Sequence, residues 1–94
     1  MKLALFTVVL GSTSVLAGCN CKCQDPSGTG PQWNDLTAQG CGTKLAGESI
    51  ACSWNKQYHG DQHHQCSSSL CCIDSGNFDL FCKLGGAPGA YCWS

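Results

Sequence analysis

Gly18-Cys19-Asn20-Cys21-Lys22-Cys23-Gln24-Asp25 sets three of the chain's ten cysteines at alternate positions, directly after an apolar leader. Cysteine at this density in a short chain reads as a disulfide framework, the device that holds together domains too small to build a sufficient core. The alternation predicts an extended strand with Cys19 and Cys23 on one face and Cys21 on the other, so that one strand is tied on both sides; an irregular, crosslinked tail is the other reading. Cys41, Cys52, Cys66, Cys71, Cys72, Cys82 and Cys92 complete an even set, and all ten are expected to pair. Spacing does not choose among on the order of a thousand pairings. The vicinal Cys71 and Cys72 are expected to bridge elsewhere, because a bond between them strains the peptide that joins them. Thiolate metal ligation is the weaker alternative, since the aromatic residues call for a packed core and export favours oxidation.

The leader decides the compartment. Residues 1–17, MKLALFTVVLGSTSVLA, combine Lys2, an apolar run from Leu3 to Leu10 and a small-residue end at Ala17, the pattern of a secretory signal peptide. The run is well short of the roughly 20 apolar residues that span a bilayer. Cleavage after Ala17 is expected to release a single domain, 18–94, into the extracellular space as a monomer without a membrane role. Leu16-Ala17-Gly18-Cys19 also has the look of a bacterial lipoprotein signal, but lipid on Cys19 would leave an odd number of thiols.

Composition excludes several partners. From Gly18 onward there are four lysines, no arginine and six acids, a formal balance of −2. Nucleic-acid binding needs basic residues to displace counterions and arginine to read bases, so it is not expected. A cationic membrane-lytic helix is excluded by the same shortage.

The predicted elements alternate. Pro26 to Gly30 is a loop by its breakers. Pro31 opens a helical pattern in which Trp33, Leu36, Thr37, Gly40, Cys41, Lys44 and Leu45 recur at three-and-four spacing up to Gly47. Residues 48–54 read as a half-buried strand with Ile50, Cys52 and Trp54 on one face, and 55–65, which lack any aliphatic residue, as an exposed loop. Residues 66–74 predict an extended segment. Residues 77–84 predict a helix capped by Ser75 or Asn77, stopped by Gly85-Gly86, with Phe78, Phe81 and Cys82 inward. Ala90 to Trp93 predicts a closing strand. The expected fold class is α+β: a small disulfide-rich domain, a short antiparallel sheet with two helices packed on one face.

The leader, CNCKCQD, QWNDLTAQGC, QCSSSLCCIDSGNFDLFC and the terminal GAYCW together resemble the small secreted cysteine-rich proteins of filamentous fungi, many regarded as effector candidates. The element order is also similar to the α/β killer-toxin-like fold found among them. The resemblance implies a secreted effector or toxin-like role. Killer toxins of that type are cut at dibasic sites, which this chain lacks.

Candidate chemistry is sparse. His59, His63 and His64 cluster around Asp61, but Gly60 and the absence of an apolar face favour a solvated, pH-responsive loop over a metal site. Glu48 with Asp35 or Asp74 would make a glycosidase pair only at a defined separation; surface solubility is the simpler reading. No arginine serves a guanyl-specific ribonuclease, and Gly60 separates His59 from Asp61 where a phospholipase A2 needs an adjacent pair. No catalytic residue, metal or cofactor is expected. Trp33 and Trp54 are expected in the core or shielding disulfides, with an exposed Tyr58 and His59, His63 and His64 as candidate partner contacts. The function expected is non-enzymatic binding of a host or competitor surface, with cell-wall polysaccharide binding and antimicrobial action as alternatives.

Each disulfide adds about 2–4 kcal/mol by restricting the unfolded chain. The protein is therefore expected to be heat-tolerant when oxidised, with a Tm that collapses in dithiothreitol. An unchanged Tm under reductant would show that the crosslinks do not hold the fold.

Overall fold

The computed structural model describes residues 17–61 and 63–94; the leader reading falls on residues that lie, apart from Ala17, outside the described ones. The elements are β1 (Ala17–Gly18), β2 (Asn20–Cys23), α1 (Asn34–Cys41), α2 (Ile50–Asn55), β3 (Lys56–His59), β4 (Gln65–Ser68), β5 (Ile73–Asp74), α3 (Ser75–Leu84) and β6 (Ala90–Trp93). Four strands form an antiparallel sheet in the order β3-β4-β2-β6, and β1 pairs with β5 apart from it. Helices α1 and α3 pack against one face of the four-stranded sheet. The core between them holds Cys21, Cys23, Cys66, Ile73, Phe78 and Cys82, all fully buried.

All ten cysteines are crosslinked: Cys19–Cys71, Cys21–Cys92, Cys23–Cys82, Cys41–Cys66 and Cys52–Cys72. Cys41–Cys66 pins α1 to β4 and Cys23–Cys82 pins α3 to β2. Cys21–Cys92 ties β2 to β6 at directly opposed positions. Cys71 and Cys72 seek distant partners, as the vicinal-strain argument requires. The division of Cys21 from Cys23 does not occur: both are buried on the inner face, because side chains two apart on a strand point the same way.

Local chemistry explains where the elements start and stop. In α1, buried Thr37 donates from Oγ1 to Trp33 O at 2.9 Å and accepts from Cys23 N at 2.8 Å, joining the first helical turn to the end of β2. Gly40 stands inside that helix because a Cβ there would come within 3.0 Å of the Phe81 ring; its cost in helix propensity is offset by the close approach of α3. The helix is shorter than its sequence pattern and ends at Gly42, leaving Leu45 to reach the core from an irregular segment. Helix α3 is capped by Asp74 rather than Ser75 or Asn77: Asn77 N donates to Asp74 Oδ1 at 3.0 Å. Gly86, at φ +101°, turns the chain out of the helix.

Two segments differ from the sequence expectation. The strand expected at 48–54 is a helix over Ile50–Asn55, started by Ser49, whose side chain accepts from Cys52 N at 3.0 Å. Its period-two apolar pattern does not mark a buried face, since Cys52 alone turns inward and Ile50 is exposed. The loop expected at 55–65 is instead a hairpin, β3 and β4 joined through residues 60–64. An edge strand can do without aliphatic residues when its inward positions are filled otherwise. Here they are Lys56 and Tyr58.

Lys56 is the unusual occupant. Its Nζ lies 2.8 Å from Glu48 Oε1, with both side chains fully buried, and donates to Gly40 O at 3.1 Å and Thr43 O at 2.7 Å. Glu48 Oε1 also accepts from Leu45 N at 3.0 Å. Glu48 is thus a core anchor rather than a source of surface solubility. The pair holds the irregular 42–49 segment against β3. Removing one partner strands the other's charge in the interior, at a cost of about 3–5 kcal/mol. Lys56→Met is therefore expected to lower unfolding free energy in guanidinium by that amount, with part recovered in Glu48→Gln/Lys56→Met; a loss within error for the single variant would overturn the anchor role.

Candidate functional site

The same strand alternation that buries cysteine displays polar side chains on the opposite face. Cross-strand register places Gln57, Ser67, Asn20 and Trp93 in one row over all four strands, and His59, Gln65, Lys22 and Tyr91 in the next. Neither α1 nor α3 lies on this face. It carries amide, hydroxyl, imidazole, indole and phenol groups, one ammonium and no carboxylate.

The rows are cross-linked by hydrogen bonds. Ser67 Oγ lies 2.7 Å from the Asn20 side-chain amide, and Gln65 Nε2 reaches Asn20 at 3.0 Å and Ser67 Oγ at 3.1 Å. Asn20 Nδ2 donates to Trp93 O at 3.5 Å. Trp93 stacks on Tyr91 with ring centroids 4.9 Å apart. Lys22 Nζ sits 5.7 Å from the Trp93 ring centroid and donates to Gln32 Oε1 at 2.6 Å and His63 O at 2.8 Å. Partial burial draws the Lys22 ammonium below its usual lysine range, because desolvation disfavours the charged form. The 26–32 loop covers the Tyr91 end of the face, where Gly28 leaves room for the Tyr91 ring.

At the β3 side the face deepens into a groove of about 430 Å³. Its floor is the Gln57–Ser67–Asn20 row, and α2 supplies a wall through Trp54 and Asn55. Asn55 is fixed there: it accepts at Oδ1 from Ser68 Oγ and from Leu70 N at 3.0 Å, and donates from Nδ2 to Ser69 Oγ at 3.0 Å. Trp54 is 82 % exposed. The placement of Trp54 in the core is thereby corrected: the helix that replaces the expected strand turns it outward. Trp33 is likewise partly exposed, at 39 %.

The residues expected as contacts are split by the fold. His59 lies on the groove's rim, while His63 and His64 belong to the hairpin turn. Tyr58 is not exposed; it points to the inner face, half-buried against the core, and burial and then the Asp35 charge push its phenol upward. Among the described residues no group of His, Cys, Asp and Glu is arranged to hold a metal. Asp74 caps α3 and Glu48 pairs with Lys56, so both carboxylates are held in structural contacts. The groove residues Asn20, Asn55, Gln57, Ser67 and Ser69 were missed. Their signal was the polar alternation Gln57/His59 and Gln65/Ser67, visible once residues 56–68 are read as a hairpin.

Residues 18–91 match the family of unknown function DUF5948, and the chain belongs to that family. No curated protein and no solved structure matches it.

The hairpin turn at the groove's rim is closed by Asp61, whose Oδ1 accepts from His63 N at 3.0 Å. That hydrogen bond, helped by the nearby His63 and His59 charges, holds the Asp61 carboxyl below its ordinary value. A depressed folded pKa contributes stability above the unfolded value of about 3.9 and loses it as pH falls through the folded value. In an NMR titration the His63 amide is expected to move with a midpoint below that of an unstructured aspartate; a midpoint at the ordinary value would show that the turn is not closed this way.

Proposed function

We propose that this member of the family is an exported, non-enzymatic binding protein that engages a surface outside the cell through the open face of its four-stranded sheet. The observation that carries the reading is the pairing of opposites on one sheet: the core with Cys21–Cys92, Cys23–Cys82 and Cys41–Cys66 on one side, two rows of polar and aromatic side chains on the other. A crosslinked scaffold holds such a surface in one arrangement, and a preorganised surface loses little freedom on binding.

Export is supported by the leader's composition, by a family match that starts at Gly18, directly after the expected cleavage point, and by five disulfides, which are typical of small extracellular domains. The non-enzymatic part is supported by the engagement of Glu48 and Asp74 in structural contacts. The resemblance to fungal secreted proteins adds the kind of surface: that of a host or a competitor, in an effector or toxin-like role.

The test is a response assay with oxidised protein infiltrated into plant tissue or added to competing microbes. A response is expected that disappears on reduction and in Ser67→Lys/Gln57→Glu, two face substitutions that leave the core untouched and the circular dichroism native. Full activity in that folded variant would overturn the reading.

A further inference from the structure

We infer that the groove beside Trp54 binds a neutral polysaccharide, with the indole as a stacking platform for one sugar ring. The inference deepens the binding reading and rests on the same face.

Two observations converge. Trp54 is 82 % exposed at the wall of the groove. An aromatic face carries negative charge density, which attracts the weakly positive C–H groups on one side of a pyranose ring. The groove lining has no carboxylate and no lysine; its polar groups are the Asn20, Asn55 and Gln57 amides, the Ser67, Ser68 and Ser69 hydroxyls and His59. A sugar hydroxyl is both donor and acceptor, and amides and hydroxyls offer both functions, whereas a phosphate or carboxylate ligand would meet no lysine or arginine in this lining.

Scale agrees with chemistry. A volume of about 430 Å³ lies within the range of small-ligand clefts, about 300–1,000 Å³. Gln57, Ser67 and Asn20 sit on three neighbouring strands, about 4.8 Å apart in the pairing direction. That is close to the length of one pyranose ring. A sugar chain running across the strands therefore meets one polar side chain per residue, with Trp54 at the end where α2 rises from the sheet. Asn55, locked by Ser68, Ser69 and Leu70, fixes the wall without needing the ligand.

The experiment titrates the oxidised protein with oligomers of β-1,4-linked N-acetylglucosamine, β-1,3- and β-1,4-linked glucose, and α-linked mannose, reading tryptophan fluorescence and calorimetric heat. Binding to at least one is expected, weakened about tenfold or more by Trp54→Ala and unchanged by Leu84→Ala, an equally exposed apolar residue on α3. Raising salt to about 0.5 M should leave it intact, since a neutral sugar carries no charge for screening to act on. Absence of binding to every oligomer at about 5 mM, a Kd that Trp54→Ala leaves unchanged, or affinity that fades with salt would each overturn the inference. If the face variants of the response assay lose activity while no oligomer binds, the surface reading stands and the partner is a protein.

Discussion

The structure depends on what strand β2 carries inward. Cys21 and Cys23 fill its two buried positions, and from them crosslinks run to β6 and to α3. Cys66, opposite Cys21, runs to α1. One short strand and its neighbour thereby fix both large helices and the far edge of the sheet. A domain of this size buries too little apolar surface to repay the entropy of ordering its chain. Large fully buried hydrophobic side chains other than cysteine are few, Phe78 and Ile73, each adding about 1.5–3 kcal/mol. Five crosslinks adding about 2–4 kcal/mol apiece outweigh that, even discounted for the loops they share.

What sulfur does for the centre, an ion pair does for the flank. The segment from Gly42 to Ser49 has no regular structure to satisfy its backbone, and Lys56 supplies donors to two of the carbonyls around it while Glu48 accepts from Leu45 N. A buried ion pair of this kind contributes little net energy relative to apolar packing. Its contribution is to position, since an aliphatic residue at 56 could not bind Gly40 O and Thr43 O together. Helix α2 begins where that segment ends, so the direction in which Trp54 projects is set in part by a contact on the other side of the sheet.

The sequence made the framework legible and left the surface obscure, for one reason. Cysteine density, the glycine stops and the Phe78/Phe81/Cys82 stripe are local signals with single meanings, and they led to the fold class, the full pairing and helix α3. Residues 50–54 carried two meanings: apolar at period two as in a strand, yet preceded by Ser49, a helix cap. The cap won because Cys52 has to meet Cys72. Residues 56–59 lacked the apolar signal altogether, because their inward places are taken by a lysine paired with a glutamate and by a tyrosine. Glu48 lies only eight residues before Lys56, but a search for apolar periodicity does not register a pair of charges. Missing β3 meant missing the row it completes, and with it the groove.

The two faces of the sheet are consequently one decision. Shifting β4 by one residue against β2 would carry Cys66 outward and Ser67 inward, breaking the Cys41–Cys66 link and burying a hydroxyl at once. Substitution on the outer face leaves Cys21, Cys23 and Cys66 in place, because alternate side chains on a strand point to opposite faces. Such a design separates the residues that hold the molecule together from those of the proposed binding face. The cysteines keep the register whatever chemistry the outer rows carry.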